Sequence, residues 1–184
     1  MARNTLSRSL HDLGLSAWFG GTLANAVALN PASSEASTAR ATGAVVNSAW
    51  DSWTPVNAAA IGMHVVGSVG QLAGNKGRIG GQQGVASMAV AKTALTAAAL
   101  GVTAYSRVLG RRVSQHGDVP AEDATTPAVD TPDDVAKAQA RLRVLQWAVP
   151  ALTGALVIVS ALAGEQQRSS EATRGLIRRV TPGR

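Results

Sequence analysis

The stretch SMAVAKTALTAAALGVTAYSRVLG, residues 87–110, decides the fold. It is long enough to cross a bilayer as a helix, since a hydrocarbon core ~30 Å thick takes about 20 mostly apolar residues. One letter resists that reading: Lys92, in the middle of a small-residue run. Projected at about 100° per residue, Lys92, Thr96, Ala99, Thr103 and Ser106 fall on one narrow stripe. Lipid penalises polar side chains, so the place for such a stripe is against protein.

Three other windows share this character. Residues 144–163, VLQWAVPALTGALVIVSALA, carry no charge and are flanked by Arg141 and Arg143 before and Glu165 and Arg168 after. Residues 10–29 and about 55–73 complete a set of four with residues 85–109. Each has its own polar or small face: Gly14, Trp18, Gly21 and Asn25; Asn57, Ile61, His64, Ser68, Gln71 and Asn75; Gln146, Pro150, Thr153, Ser160 and Gln167. The expected fold is therefore all-α, an integral membrane four-helix bundle with a polar interior seam. It forms a single domain over residues 1–184, with a polar linker at 113–131 and a basic tail at 164–184.

Composition agrees. The chain has 46% hydrophobic residues but only one Phe and one Tyr beside four Trp. A water-soluble core would use more large aromatics, whereas Ala, Val, Leu and Gly suit closely packed helices. With no Cys, thiolate catalysis and disulfides are excluded. The net charge of +6 comes without an aromatic-interleaved basic run or a nucleic-acid module, so anionic lipid headgroups are the expected partner and nucleic acid is not.

The connections carry further expectations. In NPASSEASTARATGAVVNSAWDSW, turn and cap residues come first, and Trp50 and Trp53 are expected at headgroup level. Thr54 can cap the second span with Pro55 at its first helical position. The loop GNKGRIGGQQG suits an antiparallel pair, with Lys76 and Arg78 on lipid phosphates. The linker SQHGDVPAEDATTPAVDTPDD reads as solvated and ends in Thr131-Pro132-Asp133-Asp134, a helix start that leads directly into the last span. Residues 10–29 also have the make-up of a signal peptide, with Arg3 and Arg8 ahead and Ala24-Asn25-Ala26 as a cleavage pattern. Asp12 and the later spans favour retention. Lys and Arg other than Lys92 divide nine to seven in favour of the side holding both termini, and the first hairpin favours that side four to one, which places the termini in the cytoplasm of a multi-pass cell-membrane protein.

The segment LHDLGLSAWFGGTLANAVALN resembles the first helix of small multi-pass bacterial membrane families of unknown function. Leu10-His11, Trp18 and Gly20-Gly21 carry the likeness, over about a tenth of the chain. It implies a membrane location and no activity. The Ala- and Arg-rich composition fits a high-GC bacterial genome.

The plain reading of the polar stripes is interhelical glue, with Gly67, Gly70 and Gly74 allowing close approach and Lys92 snorkelling toward Lys76 and Arg78. The sharper reading is an intramembrane site of Asp12, His64, Lys92, Gln71 and Thr96, in which Asp12 and Lys92 enter from one side and pair. His64 would there exchange protons, or the group would hold a small anion or a quinone headgroup. A haem is argued against because His11 lies at a membrane edge and His64 near mid-span, something like 10 Å apart in depth. No metal-ligand spacing, P-loop or nucleophile–base pair is present, so neither cofactor nor catalysis is expected. Three functions follow in order: an accessory or scaffold protein packing against membrane partners or copies of itself; a small transporter or ligand-binding bundle built on the seam; and a soluble helical protein.

Overall fold

The computed structural model describes residues 4–77, 84–117 and 119–165. These residues are all-helical, without strands; Ala121 and Pro127 make one isolated bridge. Helix α1 (Thr5–Ala24) continues through a π-turn (Asn25–Leu29), one α-turn (Asn30–Ala32) and a 3₁₀ turn (Ser33–Glu35). Three long helices follow: α2 (Ala39–Gly74), α3 (Val85–Gln115) and α4 (Asp133–Glu165).

All three long helices are long and apolar enough to cross a membrane. At 1.5 Å per residue, their 36, 31 and 33 residues span about 54, 46 and 50 Å. Each exceeds the ~30 Å hydrocarbon core. The surplus collects at one end, where the start of α2, the end of α3 and the start of α4 carry Arg40, Asp51, Arg111, Arg112, Lys137 and Arg141.

The helix starts show which local signals prevail. Thr38 caps α2, its Oγ1 accepting from the Ala41 N–H at 3.1 Å. The start expected at Thr54-Pro55 is overturned, because the helix runs through both. Thr54 Oγ1 instead donates to the Trp50 carbonyl at 2.7 Å, and Pro55 sits inside the helix. Proline there forfeits one N–H bond, a local loss that a capped 36-residue helix absorbs. The start at Asp133 and the unbroken run into the last apolar window are as expected.

Helix α1 packs against α2 and α4, and α3 packs against α4, whereas α2 and α3 barely touch among the described residues. The α1–α2 contact is built on glycine. A Cβ on Gly67 would overlap the His11 backbone, one on Gly70 the Ser7 side chain, and one on Gly14 the Ala60 carbonyl. Such residues let backbones approach where larger ones would hold them apart. The buried apolar cluster lies at mid-height: Trp18, Ala60, Ala99 and Val149, one from each of the four helices.

The linker is a packed cap rather than a solvated strap. Val119, Ala121 and Ala124 are buried, the Ala121 N–H donates to the Ala39 carbonyl at 3.0 Å, and the Val119 carbonyl lies over Gly43. Its polar side chains satisfy one another. The Asp123 carboxylate accepts from the Thr125 and Thr126 N–H groups at 2.6 and 2.8 Å, and from their hydroxyls at 3.1 and 2.7 Å. Arg143 fastens the turn to α4, donating to the Thr125 carbonyl at 3.3 Å and to Thr126 Oγ1 at 3.1 Å. Partial burial pushes the Asp123 carboxyl up, but the hydrogen bonds to its charged form outweigh this and hold it below the ordinary carboxylate range.

Candidate functional site: two cavities in the gap between α2 and α3

The polar stripes of α2 and α3 line the space where these helices fail to pack. Two cavities lie along it. The first, about 410 Å³, is lined by Ser68, Gln71 and Asn75 from α2 and by Lys92, Thr93 and Thr96 from α3. Arg8, His11 and Asp12 of α1 and Ser160 of α4 complete its polar wall. The second, about 240 Å³, is lined by Trp50, Asp51, Trp53, Asn57 and Ile61 of α2 and by Thr103, Ser106 and Arg107 of α3. The first volume lies within the ~300–1,000 Å³ of small-molecule sites and the second falls below it.

Between the cavities the gap is closed. His64 is buried, and its Nε2 lies 3.3 Å from Thr96 Oγ1, a bridge from α2 to α3. The His11 ring meets the His64 ring with centroids 4.6 Å apart and planes at 48°. Trp18, fully buried, also lies against His64, with ring centroids 5.9 Å apart. The plug is therefore two imidazoles and an indole on the apolar cluster.

The contact between the histidines corrects their expected separation in depth. Helix α1 begins at Thr5, before the apolar run does, so His11 lies about two turns inside the helix. Antiparallel packing then sets Asn4 beside Gly74, Ser7 beside Gly70 and His11 beside Gly67, which brings His11 level with His64.

Asp12 and Lys92 share the first cavity, but they do not form the expected pair. Asp12 Oδ1 accepts from His11 Nδ1 at 2.7 Å, because the two residues are adjacent in sequence at the end of a groove. Lys92 makes no ion pair among the described residues. Gln71 and Thr96 line the same cavity. Trp53 faces inward: its indole lies against Gly21, where a Cβ would overlap it, and its Nε1 is buried without a partner. Trp50 lines the second cavity, half-buried. Lys76 is exposed at the end of α2, and Arg78 lies outside the described residues, as does most of the basic tail.

Arg107 and Asp51, which approach across the gap at 3.9 Å, are not among the residues that sequence periodicity singles out. The available signal was Arg107 following Ser106 on the polar stripe. Nor does periodicity mark Trp18 as the plug, although Trp18 stands on the small-residue face of α1.

Buried polar atoms without partners gather along this gap. They include His11 Nε2, Trp53 Nε1, Asn57 Oδ1, Thr103 Oγ1, Ser106 Oγ and Ser160 Oγ. Comparison with protein families, curated proteins and solved structures gives no match for the chain.

Proposed function

We propose that this chain is a multi-pass integral membrane protein, a four-helix bundle whose polar faces meet in a hydrated seam between α2 and α3. In this reading it is a small transporter or ligand-binding bundle rather than an enzyme, and the bilayer is the partner it requires. The observation that carries the reading is the pair of polar-lined cavities along the gap. Lipid penalises polar side chains such as Ser68, Gln71, Lys92, Asn57 and Arg107, and a water-filled gap accommodates them. Their arrangement on either side of a plug fits a pathway entered from both faces and closed in the middle.

Arg8 near the start of α1 and Gly164 near the end of α4 line the same cavity, which supports both ends lying on one side. The Lys and Arg distribution assigns that side to the cytoplasm. The exposed apolar surface, with Val66, Val90 and Ile158 on it, is what lipid alone requires, so it gives no specific support to a packing role with protein partners.

The chain has no cysteine, so single-cysteine variants report cleanly. In sealed vesicles, Ser68→Cys should react with a membrane-impermeant thiol reagent from the side of the termini only. Ser106→Cys should react from the opposite side only. If neither reacts, or both react from one side, the two-cavity pathway is wrong.

A further inference from the structure

We infer that the larger cavity binds a single-tailed amphiphile with an anionic head, the head on Lys92 and the tail along Val65, Val69, Met88 and Leu100. This rests on the hydrated-seam reading and names its ligand class. Charge gives the sign. The described lining carries two cations, Arg8 and Lys92, against one carboxylate, Asp12, which is held by His11. The one opposite charge that shares that lining with Lys92 is Asp12, beyond ion-pair distance, whereas Arg107 in the smaller cavity lies 3.9 Å from Asp51. An ammonium at this depth needs an anion or water, and a charge-assisted hydrogen bond is the stronger of the two.

The second observation is the polar wall beside Lys92: Ser68 and Gln71 line the same cavity, with side-chain donors for an anionic head. The third is the wall chemistry. Val65, Val69, Leu72, Val85, Met88 and Leu100 make much of the lining aliphatic. A hydrated inorganic anion would lose water to those walls and gain little, whereas an alkyl chain arriving from lipid exchanges one apolar contact for another at little cost. Finally, Val69 and Thr93 line the cavity and are also exposed, one on each side of the unpacked gap. The cavity thus opens sideways, where a lipid-borne chain would enter.

The test uses the full chain in nanodiscs of phosphatidylcholine, titrated with dodecanoate and dodecyl phosphate and read by calorimetry. One saturable site is expected for at least one of the two, dodecanoate preference marking a fatty carboxylate and dodecyl phosphate preference a lipid phosphate. Acetate and inorganic phosphate, which do not concentrate in the bilayer, should give no saturable site over the same range. Lys92→Met should weaken binding about tenfold or more, and Lys92→Arg should keep most of it. Equal binding of dodecyltrimethylammonium, an unchanged Lys92→Met, or no saturable site for either anion overturns the inference. If Ser68→Cys still reacts from water in that case, the ligand class alone is wrong; if it does not, the seam falls with it.

Discussion

Replacing Gly67 by alanine probes the contact that sets the site's geometry. The added methyl would sit 2.6 Å from the Ser7 carbonyl oxygen and 2.7 Å from the His11 Cα, and would overlap the His11 nitrogen. Ordinary carbon contacts lie at about 3.5–4.0 Å. These are backbone atoms that cannot rotate away, so α1 must move off α2 by about 1 Å. Overpacking of that kind costs about 1–3 kcal/mol. For a chain of this size that corresponds to a Tm lowered by about 2–12 °C. The internal control is Gly62, in the same helix with open space where its Cβ would go. Alanine there removes a helix-weakening glycine worth up to about 1 kcal/mol and should leave Tm unchanged or raised. Intrinsic tryptophan fluorescence during heating in mild detergent measures both. Equal Tm values for Gly67→Ala and Gly62→Ala would refute the close approach of α1 and α2, and with it the register that joins His11 to His64.

Other outcomes follow from the same geometry. Trp18→Ala removes the largest member of the plug and should raise ion leak in proteoliposomes several-fold over the native chain, as measured by dye quenching, while leaving insertion intact. Thr38→Ala deletes the cap of α2 and should cost about 1 kcal/mol, seen as faster hydrogen exchange over residues 39–43 and unchanged exchange near Gly67. Asp123 is depressed in the folded state, so its contribution is complete above the unfolded carboxylate value of about 3.9 and is lost as pH falls through the lower folded value. Limited proteolysis should therefore cut residues 119–131 faster in acid below about pH 4, and Asp123→Ala should show that faster cutting at neutral pH.

What was legible in the sequence was the element that repeats. A 3.6-residue period placed Lys92, Thr96, Thr103 and Ser106 on one face and Asn57, His64, Gln71 and Asn75 on another, and these faces line the same gap. Glycines at 67, 70 and 74 likewise mark a close helix approach, though not its partner, which the structure gives as α1. The misread parts depend on partners far away in sequence or on rival local signals. Thr54-Pro55 has the form of a helix start, but Thr38 supplies the cap and continuity does the rest. His11 was assigned a depth from where the apolar run begins, whereas the helix begins earlier at polar residues that the run conceals. The linker read as solvated because its residues are polar. In the fold, Asp123 satisfies the threonines beside it, so the segment packs against Ala39 and Gly43 without leaving them unpaired. That Asp12 would choose His11 over Lys92 depends on side-chain geometry that spacing does not carry.

The most direct measurement places a spin label at Ser68, Ser106, Val66 and Ile158 in turn and compares its collisions with oxygen and with a water-soluble nickel complex in lipid vesicles. A hydrated seam inside a lipid-facing bundle predicts nickel access at Ser68 and Ser106 and oxygen access at Val66 and Ile158. Nickel access at all four positions would mean water surrounds the chain, and oxygen access at all four would mean the gap between α2 and α3 is dry; either result contradicts the account.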